Sequence, residues 1–101
     1  MEQDQAARLR PFLDQEGRLK ALPAKNKVRM LALRVLAARF TAGEKYTESE
    51  VNGILNKATC FEDAATLRRE LFNRHFLNRT PDGSAYWLEE NQPTDEALGL
   101  L

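Results

Sequence analysis

The spacing of apolar residues changes period once along this chain, and that change governs what it can fold into. From Val28 to Leu71 apolar side chains recur at helical spacing; from Phe76 to Leu88 they alternate. Residues three and four apart share one face of a helix, whereas every second residue shares one face of a strand. An α+β fold is therefore expected, helices first and a hairpin last. The hairpin excludes a purely helical array, and the helices exclude a β-sandwich.

Three helices are expected. Pro23 introduces the first, from about Ala24 to Phe40, because proline is tolerated in a first helical turn. Val28, Met30, Leu31, Leu33, Val35, Leu36 and Phe40 cover more than half its circumference, leaving Lys27 and Arg34 on a narrow outer strip. A helix apolar over that arc is a central one, packed on from more than one side. Thr41-Ala42-Gly43 ends it. The second helix opens on Thr47-Glu48-Ser49-Glu50, a capping box, with Tyr46 and Val51 placed for a hydrophobic staple. Val51, Ile54, Leu55 and Ala58 form its buried face. Thr59-Cys60-Phe61-Glu62 offers a second capping box, with Asp63 as a rival cap, and the third helix spans about 62–74. Ala64, Leu67 and Leu71 point inward; Glu62, Thr66, Arg69 and Asn73 lie opposite. His75, where this helix must end, is placed for the left-handed conformation that glycine usually takes.

Phe76–Thr80 and Ala85–Leu88 then read as two strands joined by a tight turn at Pro81-Asp82-Gly83-Ser84. A smaller hairpin is expected at Phe12-Leu13 and Arg18-Leu19-Lys20, around Asp14–Gly17. The chain divides into an N-terminal extension (1–11), one domain (12–88) and an acidic C-terminal tail (89–101). Three helices and a hairpin wing, with a short extended piece at Lys45-Tyr46, follow the order of a winged helix-turn-helix domain.

The stretch from about Phe12 to Leu88 resembles a bacterial family of unknown function. The residues that carry the resemblance are Gly17-Arg18-Leu19-Lys20, Pro23-Ala24-Lys25, Tyr46-Thr47-Glu48 with Glu50-Val51-Asn52, Ala65–Leu71, and Arg79 with Asp82-Gly83-Ser84 and Tyr86-Trp87. The resemblance implies a winged-helix domain found alone or fused to helix-turn-helix transcriptional regulators, and hence a DNA-binding or regulatory module. It implies no reaction and no ligand.

A length of 101 residues suits one core. The charge balances, 15 Lys and Arg against 15 Asp and Glu, which taken whole argues against a grip on nucleic acid. The balance hides a division. Residues 18–45 hold eight basic groups (Arg18, Lys20, Lys25, Lys27, Arg29, Arg34, Arg39, Lys45) and one acid, Glu44. Residues 66–79 hold four arginines against Glu70, while acids gather at the starts of the second and third helices and in the tail.

One cysteine and one histidine leave no disulfide framework and no multi-cysteine zinc site. No phosphate-binding glycine loop, dinucleotide motif or nucleophile elbow is present. No nucleophile–base pair is visible, so an enzyme is not expected, nor a metal or cofactor. The first residues show no signal peptide and no apolar run is long enough to span a bilayer, so a cytoplasmic protein with no membrane partner is expected.

Three constellations remain as candidates for DNA contact. On the third helix, Thr66, Arg69 and Asn73 project together; arginine suits guanine and asparagine suits adenine in the major groove. Arg68, nearer the buried flank, and Arg74, at the end, are placed for phosphates. The plainer alternative is a solvated face with an Arg68–carboxylate pair to Glu70 or Glu62. At the first helix's start, Lys25, Lys27 and Arg29 oppose the helix dipole, which makes sense if an anion binds there; equally, long exposed side chains evade the dipole in salt. On the wing, Arg79 is placed for a phosphate or the minor groove, while Asp82 at the tip is adverse to DNA. Cys60 and His75 are read as structural. A palindromic site would need a homodimer, for which Phe12, Leu13, Leu98, Leu100 and Leu101 are interface candidates. The competing function is a protein-interaction module that binds an acidic partner through the first-helix patch.

Overall fold

A computed structural model describes residues 7–100 of the chain. A short helical segment at 7–12 ends in a 3-10 turn, Arg10–Phe12. Three longer helices follow: α1 (Asn26–Ala37), α2 (Glu48–Ala58) and α3 (Ala64–Asn73). Two short antiparallel strands, β1 (Leu77–Arg79) and β2 (Tyr86–Leu88), close the order, paired Leu77 to Leu88, Asn78 to Trp87 and Arg79 to Tyr86. The fold is α+β, as the change of period requires. Among the described residues no helix is long and apolar enough to cross a membrane.

α1 is the central helix. Met30, Leu31, Ala32 and Leu33 are all buried, so consecutive residues on several sides of the helix face protein. It is shorter than expected at both ends. Lys25 is its N-cap, extended and with no side-chain cap. Past Ala37 the bonds shorten to three-residue steps, Arg39 N–H to Leu36 O and Phe40 N–H to Ala37 O, which tuck the Phe40 ring into the core. Val35, counted with the buried stripe, is instead exposed.

The capping box at α2 forms as read: the Glu50 N–H bonds Thr47 Oγ1 at 3.1 Å and the Thr47 N–H bonds Glu50 Oε1 at 2.8 Å. The second box does not form. Thr59 is buried and its hydroxyl donates back to Leu55 O, while Glu62 sits in the left-handed region at φ 46°. α3 therefore starts at Ala64, with Asp63 as an N-cap that makes no side-chain bond. The cause lies far off in sequence. Leu19 donates to Ala58 O and accepts from the Cys60 N–H, both at 2.9 Å, holding the α2–α3 connection extended. Leu19 also bridges Leu13. The expected small hairpin thus exists, and serves as a brace for that connection.

α3 ends in a Schellman motif. The Phe76 N–H reaches Leu71 O and the His75 N–H reaches Phe72 O, with His75 at φ 68° as expected. Beyond the helices, Tyr46 pairs with Tyr86 through two reciprocal 2.8 Å bonds, on the side of β2 away from β1. The segment before α2 is thereby joined to the hairpin.

The two ends of the chain differ from the expectation. Leu9, placed in the extension, is buried in the core. The acidic segment after Leu88 does not trail away. Gln92 Nε2 donates to Phe76 O and Glu89 O, Asp95 pairs with Arg34 of α1, and Leu98 is buried. Leu98 is therefore unavailable for a dimer interface, and Phe12, Leu13 and Leu100 are partly buried against the same core. Leu101 lies outside the described residues.

Candidate nucleic-acid interface

α3 presents Arg69, Asn73 and Arg74 to solvent, with Thr66 half-buried. Its inward stripe of Ala64, Leu67 and Leu71 is buried, which fixes the rotation of the helix and so the direction of the outer side chains. None of Arg69, Asn73 and Arg74 makes an ion pair or side-chain hydrogen bond among the described residues.

Two of the candidate cations are engaged internally. Arg68 is only 14% exposed; it donates to Asn52 Oδ1 and stands 3.5 Å from Glu48 Oε1, both on α2. Its carboxylate partner is thus on the neighbouring helix, rather than Glu70 or Glu62. Arg29 bonds Glu70 Oε1 at 2.9 Å and Pro23 O at 3.3 Å. These two guanidiniums tie α3 to α2 and to α1, so they set the pose of α3 before any ligand arrives.

Arg79, on β1, lays its guanidinium over the Phe72 ring at 4.9 Å from the centroid. A cation over an aromatic face is held by the ring quadrupole. Arg68, Arg69, Asn73 and Arg79 line one groove of about 290 Å³ together with Phe72 and Glu48. At the wing tip, Asp82 accepts from the Ser84 N–H and the Thr80 hydroxyl. The Ser84 backbone N–H, then the Thr80 hydroxyl, hold its carboxyl down at about 2. The adverse charge at the tip is partly answered within the turn.

Lys25 and Lys27 are exposed and border a shallow depression of about 500 Å³ together with Arg8 and Asn26. A further cavity of about 390 Å³ is lined from both α1 and the end of α3. Asn26 stands on one of its walls, Asn73, Arg74 and His75 on another, and residues of the C-terminal segment on a third. Asn26 lines both this cavity and the depression at the start of α1, and Asn73 lines both the cavity and the α3 groove.

Three participants were not singled out from the sequence. Phe72 gains its role under Arg79 only from the strand that follows the helix. Arg8 lay in the extension, beyond any recognisable pattern. His75 signalled a helix end, and its imidazole also borders the middle cavity.

Cys60 and Asp14 form a separate cluster. Asp14 accepts from the Arg18 and Glu16 N–H groups, from Arg18 Nε and from the Cys60 thiol. The Arg18 backbone N–H is the chief cause that holds the Asp14 carboxyl at about 2, and the bond to Asp14 raises the Cys60 thiol above its ordinary value.

Residues 18–88 match a family model described as an uncharacterized protein conserved in bacteria, DUF2087. No curated protein and no solved structure matches the chain.

Proposed function

The chain belongs to this uncharacterized bacterial family, and from the arrangement of its basic side chains we propose that it is a winged-helix domain that binds duplex DNA, of the kind used in transcription regulation. In this reading α3 enters the major groove, Arg79 of the wing meets the flanking backbone, and Lys25 and Lys27 hold phosphates at the start of α1. The observation that carries it is the succession of cavities that share lining residues: Lys25 and Lys27 border one with Asn26, Asn26 borders the next with Asn73 and Arg74, and Asn73 borders the third with Arg69 and Arg79.

The fold reading draws on the strand order. Tyr46 bridges one side of β2 and β1 pairs with the other, so the two-stranded wing also holds the extended residue from between the first two helices. A domain whose second and third helices are cross-tied by Arg68 presents its third helix rigidly, as base reading needs. Arg68 and Arg29 act in this reading as positioning residues and leave the contacts to Arg69, Asn73, Arg74 and Arg79.

The test is a binding titration of the full chain with mixed-sequence duplexes at two salt concentrations. Tighter binding at low salt, with Arg69→Ala and Asn73→Ala each losing about 1–3 kcal/mol on a selected sequence, supports the reading. No binding at low salt by a folded protein overturns it, and an acidic protein surface then becomes the partner to seek.

A further inference from the structure

The segment after Leu88 carries four acids (Glu89, Glu90, Asp95, Glu96) and no base, and lies beyond the residues that the family shares. It is bound to the domain at three places. Gln92 bonds the backbone of Phe76; Asp95 pairs with Arg34 in the last turn of α1; Leu98 is buried and Gly99 lies beside Asn26, the first residue of α1. The segment thus runs back along α1 toward the helix start, where Lys25 and Lys27 stand.

Its course also brings it to α3. Glu96, Ala97, Leu98 and Gly99 wall the same cavity as Asn73 and Arg74. Hydrogen bonds within the segment keep it in one shape there: the Ala97 N–H to Thr94 Oγ1, the Leu98 N–H to Thr94 O and the Leu100 N–H to Asp95 O. A carboxylate beside Arg74 lowers the local positive potential that a phosphate would meet. The apolar anchor at Leu98 keeps that carboxylate close without a direct ion pair to Arg74 among the described residues.

Building on the DNA reading, we infer that the C-terminal segment is an internal competitor for the nucleic-acid surface, its Glu96 occupying the place of a phosphate in the cavity it shares with Arg74 and Asn26, with Asp95 on Arg34 and the buried Leu98 as its anchors. Binding of duplex and docking of the segment oppose one another. A partner or modification that lifts the segment therefore strengthens DNA binding.

The experiment compares the full chain with two full-length variants, Glu96→Gln, which removes the charge and keeps the Asp95 and Leu98 anchors, and Leu98→Ala, which weakens the anchor and keeps the charge. Affinity for a mixed-sequence duplex is read by fluorescence anisotropy at low salt, with helicity checked by circular dichroism. The expected result is a gain of about fivefold or more for both variants, together with loss of hydrogen-exchange protection at the Leu98 and Leu100 amides when duplex is added to the parent chain. If the parent chain binds and the charge-neutral variant gains nothing, the competitor is overturned while the DNA reading stands. If no folded form binds at low salt, both are overturned.

Discussion

Arg29 of α1 and Glu70 of α3 meet at 2.9 Å with side chains only 29% and 19% exposed. A cation that looked like a ligand for phosphate is thus a strut between helices. Partly buried pairs of this kind lose more when one partner is removed than when both are, because the survivor is left uncompensated. Arg29→Met and Glu70→Ala are each expected to destabilise the fold by about 1–2 kcal/mol, lowering the melting temperature by roughly 4–16 °C. The double variant is expected to lose less than the sum. Urea titrations of the four proteins check this, and strict additivity would refute the strut.

Lys25 and Lys27 carry no internal partner among the described residues, so their removal should act on binding and leave stability nearly untouched. Lys25→Ala/Lys27→Ala is expected to weaken binding uniformly across duplex sequences and to reduce the salt slope by about 2, one phosphate contact each. An unchanged slope excludes them from the interface.

His75 at φ 68° holds the left-handed position of the Schellman motif, where glycine alone has no steric penalty. His75→Gly is expected to stabilise the fold by about 0.5–1 kcal/mol. Thermal melting checks the sign. A loss would mean that the imidazole makes a contact worth more than the strain.

Asp14 titrates well below its ordinary value of 3.8, at about 2, and a depressed carboxyl contributes stability only while ionised in the native state. That contribution is complete above the unfolded value and is lost as pH falls through about 2. The stability difference between the parent chain and Asp14→Asn should therefore be constant at neutral pH and shrink from near pH 4 downward. The same substitution removes the carboxylate whose hydrogen bond, and then charge, raises Cys60, so alkylation of that thiol at mildly alkaline pH should quicken. Equal rates in the two proteins would contradict the coupling.

The local elements were legible because their signals are local. The Thr47–Glu50 box, the left-handed His75 and the wing turn each depend on residues within a few positions, and each stands where the pattern put it. The start of α3 was misread because its cause is a backbone pairing with Leu19, which no spacing around Thr59 encodes. Among the candidate site residues, Arg69, Asn73 and Arg74 kept their exposure because α3's apolar stripe fixes its rotation. Arg29 did not, since its partner Glu70 sits on another helix; Arg68, expected near the buried flank, meets Glu48 and Asn52 of α2 in place of Glu70 or Glu62. Charge counting alone cannot separate a cation that faces solvent from one that faces a carboxylate. The tail misled for a similar reason: its polar composition hid the single buried anchor at Leu98.

The Leu19 brace also sets an order of events in time. The three helices and the wing hairpin are made of near neighbours and can form on the microsecond scale, whereas joining Leu19 to the Ala58–Cys60 backbone closes a loop that contains α1 and α2. The entropy of that closure is lost before the two bonds form. The brace should accordingly be among the last parts of the molecule to lock during folding, closing over an α2–α3 pair that Arg68 already ties together.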